Sequence, residues 1–260
     1  MTASSFFAID GEWFVGTDAA RGPWDPDACH AGPPTGIIAR ALEAITDEHR
    51  LVRLTVDLSR PVPMAGFRVE TDVVRAGRNV TTTRAAIVDR GGEVRVTASA
   101  VHIATAPPAE LPTVRFGVPD LAEAEPGVFP IRTFQHDRPG FPSGVEVRYP
   151  PTEGPDPGPT TMWMRTIPLL PDEEPSPFQR LCPLADCGNA VARNAEMADV
   201  SFINPDLTLV VHREPVGEWF GLQAVSHWQP DGVGMADALL FDTAGHVGRA
   251  LQTLLIRPAG

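Results

Sequence analysis

Several things are scarce in this chain, and each scarcity excludes something. Cysteine occurs three times in 260 residues, at 29, 182 and 187; an odd number in a long chain does not read as a disulfide framework. Met1 is followed by polar residues to Ser5, not by a basic then apolar leader, and no apolar run approaches the roughly 20 residues that cross a bilayer. The expectation is a cytoplasmic protein without a membrane span. Positive charge is short as well: 21 Lys and Arg against 33 Asp and Glu leave a formal −12, which repels a phosphate backbone and makes nucleic acid a poor partner. Cys182 and Cys187 have no metal-ligand spacing and no nearby His, so no metal is expected. A GxSxG elbow, a phosphate loop and a dinucleotide fingerprint are all missing. Tyrosine occurs once, whereas 28 Pro and 23 Gly indicate many turns or a composition bias and identify no function.

What the chain does have is a repeat, and self-similarity takes precedence over local motifs because it changes the fold expected. Arg60 recurs as Arg213, Asp89 as Asp242, Gly92 as Gly245 and Val94 as Val247, always 153 positions on. Leu54, Thr55 and Phe67 recur as Leu207, Thr208 and Phe220, and Ala39, Arg40 and Glu43 as Ala192, Arg193 and Glu196. The register reads without a gap. In both copies a short helical stretch, 35–45 or 188–197, precedes four alternating strands, at 52–59, 66–75, 80–89 and 93–104, then 206–213, 218–228, 233–242 and 246–257. Further strands fit 5–15, 144–149 and 160–166. One helix with a run of hairpin strands is an α+β module whose sheet buries a face on that helix. The chain is long enough for two such cores. Between the copies, 106–158 is dense in proline and reads as a stiff surface connection carrying a short strand pair in its later part. The expected organisation is an N-terminal module over 1–105, a linker over 106–140 and a C-terminal module over 141–260.

The segments "HAGPPTGIIARALE", "PLADCGNAVARNAE", "FINPDLTLVVHREPVGEW" and the closing "AGHVGRALQTLLIRP", in this order, resemble the double-hotdog acyl-CoA thioesterases across both halves. The resemblance implies two tandem hotdog modules, each an antiparallel sheet wrapped around a central helix, and hydrolysis of a fatty or aryl acyl-CoA. Coenzyme A then enters as part of the substrate, with no separate cofactor. It also implies a homo-oligomer of double-hotdog units, because hotdog sheets leave an edge that pairs. In that family a helix Asp, a strand Thr or Ser and a Gln of the last strand position the attacking water. These positions fall on Asp186, on Asn204 instead of a hydroxyl residue, and on Gln252.

Read for themselves, these residues keep two meanings. Asp186, ahead of "CGNAVARNAE", either orients water or caps a helix. Gln252 shares a strand face with Leu254 and Ile256, so it is either functional or a buried amide satisfied by backbone. Gly32 and Gly188 allow a ligand close to the backbone at helix starts, where free N–H groups can polarise a carbonyl. His30 either touches substrate near that entry or caps. Arg213 recurs as Arg60, which favours a structural ion pair. The five tryptophans are core or tunnel lining. At the repeat offset Asp186, Asn204 and Gln252 face Pro33, Leu51 and Ser99, so one site per chain is expected; if both halves once carried it, one has lost it. Two other readings remain: a non-catalytic acyl-ligand binder, since Asn holds water but is no base, and an enoyl-CoA hydratase, whose Asp and His are missing around Asn204–Pro205.

Overall fold

The computed structural model describes residues 3–46, 49–107, 109–131 and 136–258. In the first half, β1 (Phe7–Asp10) and β2 (Trp13–Gly16) precede helix α1 (Gly32–Glu43) and strands β3 (His49–Asp57), β4 (Phe67–Arg75), β5 (Val80–Asp89) and β6 (Val94–Ala104). The second half opens with β7 (Glu125–Gly127), β8 (Val145–Tyr149) and β9 (Thr160–Thr166), followed by helices α2 (Pro177–Ala185) and α3 (Gly188–Val191). Strands β10 (Val200–Ile203), β11 (Asp206–Val211), β12 (Phe220–Trp228), β13 (Val233–Asp242) and β14 (Gly245–Pro258) complete it. All the described strands form one antiparallel sheet in the order β1-β2-β4-β5-β6-β3-β11-β14-β13-β12-β9-β8-β7, with β10 paired to β14. This is the expected α+β arrangement of two tandem hotdog modules, with α1 against one half of the sheet and α2–α3 against the other.

Alternation builds it. Thr81, Thr83, Ala85 and Ile87 of β5 turn inward, as do Ala250, Gln252, Leu254 and Ile256 of β14, while their sequence neighbours on β14 face out. Apolar side chains from both halves merge into one core. Among the described residues no helix is long and apolar enough to cross a membrane.

The two modules join where β3 pairs with β11. Thr55 lies opposite Thr208, its repeat counterpart, with the hydroxyl oxygens 3.2 Å apart. On either side the pairs Asp57–Asp206 and Arg53–Val210 exchange under the repeat. A pseudo-two-fold axis therefore passes between the two threonines.

Three expectations need correction. The repeat register is not gapless. In the first module the last hairpin closes Asp89 onto Glu93, and in the second it closes Asp242 onto Gly245, a turn one residue shorter. Everything beyond it slips by one: Gln252 lies opposite Ala236, and Thr83, the repeat counterpart of Ala236, lies opposite Ala100, not Ser99. Buried Ala100 thus takes the place of Gln252 in the first module.

The second central helix, expected over 188–197, instead begins at Pro177 and breaks at Asp186–Cys187. Ser176 starts it by accepting the Gln179 N–H at 3.2 Å, with Pro177 following where no N–H is needed. Asp186 is consequently the C-cap of α2; its carboxylate does not cap α3, whose start it precedes in sequence, but takes the backbone N–H of Gly32 at the start of α1.

The proline-rich linker is only partly on the surface. Residues 109–117 are exposed, but Phe129 and Ile131 are buried in the main core, Phe129 edge-on to Phe141. Residues 108 and 132–135 of the connection lie outside the described residues.

Both repeat arginines stand in ion pairs, as expected, but with partners that are not repeat counterparts. Arg213 bonds Asp242 at 2.7 Å, whereas Asp89 is occupied by Arg95 and Arg60 turns to Glu93 at 2.9 Å.

Candidate active site

Two interruptions meet at one place. The helix break at Asp186–Cys187 is the first. The second is in the strand facing β14, where Asn204–Pro205 separates β10 from β11. Pro205 has no N–H for the ladder, and the Asp206 carboxylate accepts the Thr253 N–H instead at 2.9 Å. The first module has only a register shift at the equivalent point, between Leu51 and Arg53.

Gln252 lies between the two breaks and is 2 % exposed. Its Nε2 donates to the Asp186 carbonyl at 3.0 Å and to Asp186 Oδ1 at 3.1 Å, while its Oε1 accepts the Asn189 N–H at 3.1 Å. The amide thereby bridges α2 and α3 and supplies the partners that the broken helix lacks. Gly188 makes room for it: a Cβ there would sit 3.1 Å from Gln252 Oε1. Asn204 Nδ2 donates to the same Asp186 Oδ1 at 2.9 Å. Asp186, Asn204 and Gln252, picked from the sequence, are thus in direct contact.

His30 joins them from the other module. Its Nδ1 lies 3.2 Å from Asp186 Oδ2 and also 3.2 Å from the Gly32 N–H. With Nδ1 protonated, the ring donates to an ionised Asp186; with the proton on Asp186, the carboxyl donates to a neutral ring. Phe141 stacks on the imidazole with centroids 4.0 Å apart. Burial raises the Asp186 carboxyl above the ordinary carboxylate range, against the opposing pull of His30, Asn204, the Gly32 N–H and Gln252. Burial likewise pushes His30 below the usual imidazole value, with Asp186 pulling it back.

The α1 start offers little to a ligand. Pro33 and Pro34 carry no N–H, the Gly32 N–H is taken, and a Cβ on Gly32 would meet Pro183 Cα at 2.8 Å. Glycine is needed there for α1 to cross α2 closely.

Asp186, Asn189, Asn204, Gln252 and His30 form the polar end of a cavity of about 860 Å³ lying between the modules. The rest of the wall is largely apolar, with Trp24, Val62, Phe129, Ile131, Phe141 and Phe202, and Trp24 and Phe202 meet edge to face at 5.4 Å. Gly32 and Gly188 are not on that wall. Of the other tryptophans, Trp163 is core against Phe241, and Trp13 and Trp219 lie beneath arginine guanidinium groups. Trp228 donates to Asn189 Oδ1 at 3.0 Å. Cys29 also lines the cavity, but burial drives its thiol up to about 12, outweighing Arg21, so it is not a thiolate at neutral pH. The arrangement provides a buried carboxylate able to take a proton, fixed by amides and coupled to an imidazole, beside an apolar chamber for a chain. Sequence reasoning missed Asn189 and the cavity aromatics Phe129 and Phe141.

Comparisons with known proteins follow the same two halves. Residues 20–103 match the family model described as acyl-CoA thioesterase N-terminal domain, and residues 118–256 the one described as acyl-CoA thioesterase C-terminal domain. A candidate thioesterase from Novosphingobium aromaticivorans superposes with a TM-score of 0.75 at 17% identity, covering 96% of this chain and 98% of that one. A hot dog fold protein of unknown function from Alicyclobacillus acidocaldarius gives 0.71 at 17%, over 100% and 98%. An acyl-CoA thioesterase II from Mycobacterium marinum gives 0.65 at 18%, over 97% and 95%. A sequence search of curated proteins returns no match.

Proposed function

Since the chain belongs to the acyl-CoA thioesterase family in both of its halves, we propose that it hydrolyses the thioester of an acyl-CoA, with Asp186 as general base for the attacking water. Water gives a proton to the Asp186 carboxylate as its oxygen bonds the thioester carbon. The carbon–sulfur bond then breaks, and the coenzyme A sulfur leaves and takes up the proton. Asn204 Oδ1, whose amide nitrogen is engaged by Asp186, is an acceptor for the second hydrogen of that water. Gln252 acts as a positioning residue, since its two amide hydrogens both go to Asp186 and its oxygen to Asn189. The acyl chain occupies the apolar part of the cavity.

The observation that carries this reading is a carboxylate buried at the polar end of a large apolar cavity, with its acidity weakened by that burial. A single site per chain follows from Leu51 and Ala100, which stand where Asn204 and Gln252 do and offer no polar group.

The test is release of free thiol from acyl-CoAs of graded chain length. Wild type is expected to turn over part of the panel, Asp186→Asn to lose about 10²- to 10⁴-fold in kcat, and Gln252→Ala to lose activity through misplacement of Asp186. Full activity in both variants would sink the assignment. No turnover on any chain length would favour a non-catalytic acyl binder.

A further inference from the structure

Asn189 is 3 % exposed and lines the cavity beside Asp186 and Gln252. Its carboxamide is held in one orientation. Trp228 Nε1 and Ser226 Oγ both lie 3.0 Å from Oδ1, and an indole N–H can only donate, so the oxygen must be on that side and Nδ2 on the other. Its backbone N–H is held by Gln252. Nδ2 itself is buried and has no hydrogen-bond partner among the described residues. Leaving a buried donor unmade costs on the order of 1–3 kcal/mol, and such a group at a cavity wall calls for a partner from outside the protein.

The catalytic set described above leaves this role open. Asn204 and Gln252 have spent their amide hydrogens on protein acceptors. The prolines of α1 remove helix-start N–H groups. A thioester carbonyl whose oxygen gains negative charge needs a donor that is not already engaged. Building on the acyl-CoA reading of the cavity, we infer that Asn189 is a further catalytic residue, whose Nδ2 donates to the carbonyl oxygen of the acyl-CoA thioester. Trp228 and Ser226 are the positioning residues that aim it.

Two coenzyme A derivatives test this by calorimetry: S-octyl-CoA, which has no carbonyl, and S-(2-oxooctyl)-CoA, which has one and cannot be hydrolysed. Wild type should bind the ketone more tightly by about twofold to tenfold, with the infrared carbonyl band of the bound ketone shifted to lower wavenumber. Asn189→Asp, studied at pH 8, keeps an oxygen for Trp228 and Ser226 but loses the donor; it should bind both ligands equally and abolish the band shift. In thiol release it should lose about 10²-fold in kcat with KM little changed. The double variant Ser226→Ala/Trp228→Phe leaves Asn189 in place but free to turn, and should give a weaker preference and a broadened band. It decides the matter if Asn189→Asp does not fold. A preference and band shift that persist in both variants overturn the proposal, as does failure of wild type to bind either ligand. Turnover of the acyl-CoA panel with an unchanged ketone preference in Asn189→Asp would remove Asn189 and leave the thioesterase reading standing. The predicted preference without turnover would do the reverse.

Discussion

Burial makes the ionised form of Asp186 costly, and His30, Asn204, the Gly32 N–H and Gln252 offset only part of that cost. Two consequences follow from the sign. As the base, Asp186 must be ionised, so kcat falls as pH drops through a value above the ordinary carboxylate pKa of about 3.9. Asn204→Leu removes a donor that favours the carboxylate and should move that acid limb to higher pH; a limb that stays put in a pH–rate profile would contradict the role of Asn204. For stability, a folded pKa above the unfolded one is a benefit that is complete below about pH 4 and lost as pH rises through the folded value. Asp186→Asn should therefore melt above wild type at pH 8 by calorimetry, with the gap closing towards acid; a lower Tm at pH 8 would refute it. At this scale the sequence was informative where periodicity reports it. Gln252 is inward because Leu254 and Ile256 are, and period-two alternation said so. Asn189 was invisible because its meaning depends on Ser226 and Trp228, which a distant strand brings to it.

Helix α2 shows how an element can mislead. The expected helix over 188–197 is the stretch 153 positions after 35–45, and that offset placed it too late, although Pro183 lies inside the helix that forms. The helix persists because Ser176 and Pro177 start it well and because its C-terminal end is bridged by Gln252 from a strand that pattern reading treats separately. Strands were far more legible, since their period needs no partner to be seen. Another element-scale bond joins the end of α1 to the sheet. His102 is fully buried, with Thr46 Oγ1 2.9 Å from Nδ1 and Thr83 Oγ1 2.9 Å from Nε2. Burial, helped by His49, lowers its pKa to about 4. A base with a depressed folded pKa contributes stability above its unfolded value near 6.5, and that contribution is lost as pH falls towards 4. The urea midpoint of wild type should fall across this window, and that of His102→Gln, which retains an amide donor and acceptor and does not titrate there, should fall less. Parallel curves for the two proteins would count against a role for His102.

Over the whole molecule, one sheet and one core run through both modules, and the β3–β11 pairing is as much part of the ladder as any hairpin. Thermal unfolding should accordingly be a single calorimetric transition whose van't Hoff and calorimetric enthalpies agree. Two resolved transitions would mean that the modules are energetically separate. The two-module plan was readable from the repeat. The one-residue slip after the last turn was not, because Gly92/Gly245 and Val94/Val247 match in sequence although the shorter turn moves the second strand past the first. The Thr55–Thr208 axis has a further consequence, for inheritance. Were the modules separate identical chains related by that axis, a codon change at the Gln252 position would appear on both sides of the dyad at once. Joined in one reading frame, each side mutates alone, so Leu51 and Ala100 can serve packing on one side while Asn204 and Gln252 keep to chemistry on the other.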